Sequence, residues 1–188
     1  MNNRTTKAGH HAPSTRLSPI DSGNADNDLT QLRRLYGAYP TGVAAICALD
    51  DGGTPVGIVA TSFTPVSMRP ALVSICIQHT STTWPRLAAS PRLGVSVLAT
   101  DQEAASRQLA AKNVDRFAGI SWFTNNSDAV FLSDAAAWLE CTISTRVLAG
   151  DHDVVLLEVH HSAVDESAEP LVFHASAFRS LAAADVPR

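Results

Sequence analysis

The sequence predicts a mainly β chain, an antiparallel barrel with short peripheral helices. Three observations carry that expectation. Six or seven short apolar runs lie between turn-forming clusters such as Asp50-Asp51-Gly52-Gly53 and Gly150-Asp151-His152. Only two or three segments have helical spacing, and they do not alternate regularly with strands, which argues against a doubly wound sheet. Apolar residues make up 45% of the 188 positions, enough for one sizeable core and too few residues for two comfortable domains.

Residues 1–27 are polar and broken by Gly9, Pro13, Pro19 and Gly23, so they read as a flexible tail ahead of a domain spanning 28–184. Residues 28–38 form a helix candidate, with Thr30 to cap it and Leu32 and Leu35 as a modest apolar face. Pro40 disfavours a helical Tyr39, so the helix should stop before it. Residues 43–49 and 55–60 read as a hairpin across the Asp50–Gly53 turn. Two apolar runs, 56–60 and 71–77, flank a polar corner, Thr61-Ser62-Phe63-Thr64-Pro65-Val66-Ser67. A short helix is expected within 82–90, where Trp84, Leu87 and Ala88 recur at helical spacing and Pro85 suits the first turn. Residues 93–99 read as a strand in which Gly94 marks a bulge or a close approach. Thr100 and Glu103 have capping-box spacing for a helix running to about Leu109. Residues 110–133 are loop-rich and carry Arg116, Phe117, Trp122 and Phe123, a length of irregular chain that usually serves function or a subunit contact. A long hairpin, 136–149 and 153–161, is followed by a last strand at 171–174 and a terminal turn or helix at 178–184.

A formal net charge of −4 with no long basic block argues against nucleic acid as a partner. No run of eighteen apolar residues exists to span a membrane, and no apolar secretion signal opens the chain, so a cytoplasmic location is expected. Cys47, Cys76 and Cys141 are scattered through apolar runs, and all three read as buried free thiols in a reducing compartment. No His, Cys and carboxylate cluster stands at metal-ligand spacing, so no metal is expected.

The polar corner and the later cluster His79-Thr80-Ser81-Thr82-Thr83 put hydroxyls and backbone N–H groups at two strand ends. Such a rim can satisfy phosphate oxygens without Lys or Arg, which points to a phosphorylated ligand. Two ordinary turn-rich loops would have the same composition. No Gly-x-Gly-x-x-Gly or Gly-x-x-x-x-Gly-Lys-[Ser/Thr] run is present, so a nucleotide is not held in the Rossmann or P-loop manner.

Several short motifs occur in an order that resembles the short-chain NAD(P)H:flavin oxidoreductases serving two-component monooxygenases. They are Tyr39-Pro40-Thr41-Gly42-Val43, residues 57–67, Pro70-Ala71-Leu72-Val73-Ser74, residues 81–84, Gly94-Val95-Ser96-Val97-Leu98, Gln102, Arg116-Phe117-Ala118-Gly119-Ile120 and Gly150-Asp151-His152. The resemblance implies an FMN-binding split barrel of Greek-key type that works as a homodimer. It implies hydride transfer from NADH or NADPH to FMN or FAD, with the reduced flavin used by a separate oxygenase. The cofactor carries that chemistry and the protein supplies position and electrostatics.

The same resemblance assigns residues. Thr61, Ser62 and Phe63 would lie along the isoalloxazine ring, and Pro65, Val66 and Ser67 would continue that rim. Ser81, Thr82 and Thr83 would meet the ribityl chain and phosphate. Gln102 and Ser106 would hydrogen-bond near the phosphate from one helical face. Arg116 and Phe117 would belong to a loop closing over the flavin, with Arg116 near a phosphate of flavin or dinucleotide. Arg33 and Arg34 share that ambiguity, since the family often has a basic residue on its first helix. His152 would be the catalytic-site residue beside the nicotinamide, oriented by Asp151, its neutral imidazole donating a hydrogen bond to the carboxamide. Two alternatives remain at this stage: a split-barrel flavoprotein with tightly bound FMN, and a non-enzymatic flavin- or haem-binding barrel.

Overall fold

The computed structural model describes Ile20 and residues 25–182, so most of the expected tail lies outside the described residues. The chain divides into two units after Tyr36, and every strand of the described residues belongs to the second unit. Helix α1 (Ala25–Gly37) begins before the expected start, so Thr30 lies inside it and not at its cap.

Seven strands form one antiparallel sheet. They are β2 (Ala44–Leu49), β3 (Pro55–Ala60), β4 (Thr64–Met68), β5 (Ala71–Gln78), β6 (Leu93–Val97), β9 (Ala137–Ala149) and β10 (His152–Val164), in the order β3-β2-β6-β9-β10-β5-β4. Three tight hairpins, β2–β3, β4–β5 and β9–β10, are joined by the long-range pairs β2–β6, β6–β9 and β10–β5. Residues of six of these strands, including Val56 and Ala60 of β3 and Ile75 and Ile77 of β5, share one apolar cluster. The sheet therefore curls around that cluster, which is the expected barrel. A short pair, β7 (Trp122–Thr124) and β8 (Val130–Leu132), folds within the stretch read as loop. Strand β1 (Thr41–Gly42) pairs with β11 (Val172–His174), and β11 pairs with β12 (Ala177–Arg179). The stretch expected as a turn or helix from Phe178 instead opens on this strand, held by edge packing of Phe178 on Phe173 at 5.2 Å between ring centroids, and residues 180–182 after it are irregular, while 183 and 184 lie outside the described residues.

Strand β2 is buried on both faces, which explains its unbroken apolar run. Ala44, Ile46 and Ala48 face the barrel cluster, while Val43 just before it, Ala45 and Cys47 face a second cluster with Leu98, Leu109, Phe117 and Val130. Each fully buried Ile or Leu is worth roughly 1.5–3 kcal/mol relative to exposure. Two glycines make room for this second layer. A Cβ on Gly94 would sit 2.1 Å from the Val130 carbonyl oxygen, so β8 can lie on β6 only because that side chain is missing. A Cβ on Gly57 would meet Cys47 Sγ at 2.7 Å and the Phe117 ring at 3.1 Å. The expected close approach at Gly94 is therefore real, and Gly57 provides a second.

Short helices fill the remaining edges. Helix α2 (Trp84–Ala89) carries Pro85 in its first turn and buries Trp84 and Leu87. A 3-10 turn (Thr100–Gln102) leads into α3 (Glu103–Ala110). The cap there is Gln102, whose Oε1 accepts the Ala99 N–H at 2.9 Å, whereas Thr100 donates to the Glu169 and Pro170 carbonyls at 3.2 Å. The expected Thr100 capping box is thus replaced by a glutamine reaching back to Ala99.

Candidate functional site

The ends of β3, β5 and β10 and the segment after α3 enclose a cavity of about 740 Å³. One wall is residues 58–62, a second is Cys76, Ile77 and Gln78, and a third is Thr80 to Thr83. Leu109, Ala110, Lys112, Asn113 and Arg116 form a fourth, and His152 closes the circuit from the hairpin turn. The cavity thus brings together Thr61, Ser62, Ser81, Thr82, Thr83, Arg116 and His152 of the residues singled out from the sequence.

Local hydrogen bonds decide which groups remain available to a ligand. Ser62 Oγ accepts the Cys76 N–H at 2.9 Å, so this hydroxyl pins the polar corner to β5. Ser81 Oγ accepts the Trp84 N–H at 3.2 Å, and Thr83 Oγ1 accepts from Arg116 Nη1 at 2.9 Å. Both hydroxyls keep their own proton to donate. Thr82 is exposed, and its hydroxyl has no protein partner among the described residues.

Arg116 is half-buried and anchored three ways. Its Nε donates to the Ala111 carbonyl at 2.8 Å, and Nη1 donates to the Gly57 carbonyl at 3.1 Å and to Thr83. Those bonds use three of the five guanidinium N–H groups and leave the Nη2 pair. The position depends on Gly57, because the adjacent Phe117 ring sits in the notch that this glycine leaves. Arg116 and Thr83 also line a smaller cavity of about 240 Å³, so their hydrogen bond forms part of the wall between the two spaces.

His152 is the first residue of β10 and pairs with Gln78 of β5. Its Nδ1 lies 2.7 Å from Asp151 Oδ1, and that hydrogen bond holds the Asp151 carboxyl below its usual range. Lys112, Arg116 and His152 line the cavity and no Asp or Glu does. Cations, free hydroxyl donors and absent carboxylates suit an anionic ligand, although the whole chain carries a net charge of −4. Helix α2 is only six residues long, so hydroxyls and cations carry that preference and not a helix dipole.

Several expected contacts lie elsewhere. Phe63 is partly buried and packs against the barrel cluster. Pro65, Val66 and Ser67 belong to β4, an edge strand of the sheet, and the corner read as loop is itself largely that strand. Ser67 Oγ accepts the Arg69 N–H at 3.2 Å. Gln102 is spent on the Ala99 N–H and, through Nε2, on the Ser133 carbonyl at 2.7 Å. Ser106 is 2% exposed and faces the interior. Phe117 is a core side chain, in edge contact with Trp122 at 6.2 Å, and does not form a lid. Arg33 and Arg34 are exposed on α1.

Thr80 of the expected hydroxyl rim also lines the cavity, whereas Cys76, Gln78, Lys112 and Asn113 are cavity residues outside the sequence expectation. For two of them the signal existed. Along β5, Ile75 and Ile77 are buried while Cys76 and Gln78 are exposed, the period-2 alternation of a strand with one core face. Cys76 is therefore exposed, correcting the expectation of three buried thiols. Cys47 and Cys141 are buried, and burial raises both thiols, Cys141 to about 12.

The "Flavin reductase like domain" family description matches residues 36–182. The chain belongs to that family. It is 37% identical over 175 residues to the NADH-dependent FAD reductase of Streptomyces globisporus, covering 88% of this chain and 95% of that protein. It is 31% identical over 147 residues to the reductase subunit HsaB of a flavin-dependent monooxygenase of Rhodococcus jostii, covering 78% of this chain and 75% of the other. The structure superposes on the Streptomyces globisporus C-1027 NADH:FAD oxidoreductase SgcE6, a complex with NAD and FAD fragments, with a TM-score of 0.82 and 35% identity. That match covers 90% of this chain and all of the other. The split-barrel fold and the flavin-reductase kinship expected from the motifs are thereby borne out. The chain is an NAD(P)H:flavin oxidoreductase that uses FMN or FAD. No helix among the described residues is long and apolar enough to cross a membrane.

Proposed function

We propose that the 740 Å³ cavity is where NADH or NADPH reduces FMN or FAD, and that the protein works as a homodimer. The observation that carries the assignment is the donor set: hydroxyls of Ser81, Thr82 and Thr83, the free Nη2 pair of Arg116, Lys112, and no carboxylate. The volume lies within the usual 300–1,000 Å³ of cofactor sites, and the apolar wall of Ile58, Val59 and Ile77 suits a flat ring.

Ser81, Thr82, Lys112 and Arg116 would hold phosphate oxygens. Thr61 and the backbone of the polar corner would meet the ring, with Ser62 holding that corner against β5. His152 would orient the nicotinamide from the β9–β10 turn. Bound flavin would supply the hydride acceptor, so the protein needs positioning more than an acid or base. Large apolar side chains remain exposed on β4, the β9–β10 hairpin and β7, with Met68 at 91% and Leu148 at 76%. Such surface supports self-association.

The test is anaerobic oxidation of NADH and of NADPH with FMN, FAD and riboflavin each supplied. Turnover with a phosphorylated flavin is the expected result, and no turnover with any combination would defeat the reading. Sedimentation should give about twice the 19.9 kDa chain mass. A monomer that still turns over would remove the dimer.

A further inference from the structure

A second cavity, of about 550 Å³, opens between the β7–β8 hairpin, the start of β9 and the end of β10, and it shares no residue with the 740 Å³ cavity. Strand pairing builds it. Phe123 of β7 sits opposite Phe131 of β8, and the two rings stack with centroids 5.3 Å apart. On β9, Trp138 and Glu140 are two residues apart and so share a face, and the register with β10 sets Ala163 and His161 beside them. Trp138 lies 6.4 Å from Phe123, so three aromatic rings run together along the cavity.

The charged groups that line it are of one sign. Asp134 and Glu140 reach the cavity, and no Lys or Arg among the described residues does. Glu140 is 5% exposed, and a buried carboxylate needs partners. Asn125 Nδ2 donates to its Oε2, His161 Nδ1 lies 3.4 Å from a Glu140 oxygen, and Arg92 Nε lies 3.6 Å from Oε1. That last separation is longer than a hydrogen bond, so Arg92 offsets one charge and leaves Oε1 able to accept. Set against two carboxylates, Arg92 leaves one negative charge unbalanced.

The amide and indole donors of the wall are spent. Trp138 Nε1 donates to the Leu132 carbonyl at 2.7 Å. Asn125 is held at both ends, since its Oδ1 accepts the Ser127 N–H at 3.1 Å and the Ser127 hydroxyl at 2.7 Å. Aromatic surface, the hydroxyls of Ser133 and Ser162, and carboxylate oxygens remain for a ligand. Ring faces and carboxylates both attract positive charge. The 740 Å³ cavity has the opposite character, with Lys112, Arg116 and no carboxylate.

We propose that the 550 Å³ cavity binds a small organic cation, an alkylated ammonium carrying one positive charge. Its methyl or methylene groups lie against Phe123, Phe131 and Trp138, and its charge faces Glu140 and Asp134. This site is separate from flavin reduction and does not depend on where flavin binds.

The probe is benzyltrimethylammonium, titrated by calorimetry into the full-length protein with and without saturating FMN. Benzyl alcohol and phenylacetate serve as neutral and anionic controls. The cation should bind at one site per chain, about tenfold tighter than either control, and FMN should leave its affinity unchanged. Asp134→Asn should weaken the cation about three- to tenfold and leave benzyl alcohol unchanged. Asp134 is exposed and has a φ of 59°, which Asn also adopts, so this variant avoids the folding risk of Glu140→Gln, which strips Arg92 of its buried carboxylate. Phe123→Leu, at an exposed ring, should weaken the cation about threefold or more. Phenylacetate binding as tightly as the cation overturns the proposal, and so does displacement of the cation by FMN, which would place it in the other cavity. Absence of cation binding overturns it too; a change in sedimentation on Phe123→Glu would then make this face an interface between copies of the chain.

Discussion

Replacing Arg116 by Ala should damage stability and phosphate recognition by separable amounts. The side chain makes hydrogen bonds of 2.8, 3.1 and 2.9 Å to Ala111, Gly57 and Thr83. A hydrogen bond from a charged group contributes about 1.5–3 kcal/mol. Because Arg116 is half-buried, water reaches some of the freed acceptors, so the three bonds together should be worth about 2–4 kcal/mol. For a chain of this length that corresponds to a fall in Tm of about 5–15 °C. The Nη2 pair then accounts for a further loss seen only with phosphorylated ligands, about ten- to a hundredfold in FMN affinity against a few-fold loss for riboflavin. Arg116→Lys should recover part of the phosphate selectivity and little of the Tm, since one ammonium cannot reach three acceptors and a ligand. The assays are thermal unfolding without ligand and fluorescence quenching with FMN, FAD and riboflavin. Equal losses for FMN and riboflavin would remove Arg116 from the phosphate. An unchanged Tm would remove the three-way anchor.

Thr82→Ala should weaken FMN about tenfold and riboflavin little, with Tm unchanged, because the Thr82 hydroxyl has no protein partner to lose. Ser81→Ala should lower Tm as well, since Ser81 Oγ accepts the Trp84 N–H, and a silent Tm there would deny that contact. In the folded protein iodoacetamide should modify Cys76 alone, and added flavin should slow it; mass spectrometry showing Cys47 or Cys141 reacting as fast would contradict their burial. Asp50 has its pKa held below 3.8, first by the hydrogen bond from Arg86 and then by the Thr54 N–H. The stability it contributes is present above the unfolded value and is lost as pH falls through the lower folded value. Asp50→Asn should therefore lower Tm near pH 7, and by less and less as the pH falls through the folded value; a drop of the same size at every pH would mean that the charge is irrelevant.

The hairpins were legible because their signals are local. Asp50-Asp51-Gly52-Gly53 turns β2 into β3, with Asp50 Oδ1 accepting the Gly52 and Thr54 N–H groups at 3.1 and 2.9 Å. Elements whose fate depends on distant partners were not. Strand β4 is a strand because β5 pairs with it through Thr64–Ser74 and Met68–Ala71, although its own sequence holds a proline and follows no clean alternation of apolar and polar residues. Strand β12 forms because Phe178 finds Phe173 on β11. Thr100 carries a sound local capping pattern and is overridden by the Glu169 and Pro170 carbonyls, some seventy residues away.

The site shows the same division more sharply. Arg116 and Phe117 are neighbours in one motif, yet the Gly57 notch takes the phenyl ring into the core and leaves the guanidinium at the cavity wall. The motif marks the place but cannot say which of the two side chains faces a ligand. Gln102 and Ser106 fail for a related reason. Helical spacing puts them on one face of the turn and helix, but the β8–β9 connection supplies the Ser133 carbonyl that takes Gln102, and Ser106 turns inward. Lys112 and Asn113 follow α3 in irregular chain, where no periodicity assigns a direction. Strand ends behave differently, because alternation fixes a direction there. Once Ile75 and Ile77 are given to the core, Cys76 and Gln78 have only the other face, and that face ends beside Thr80 to Thr83. The β5–β10 register then places His152 across from Gln78. The hydroxyls, the thiol and the imidazole meet because β5 turns Cys76 and Gln78 away from the barrel core, beside Thr80 to Thr83 and next to His152.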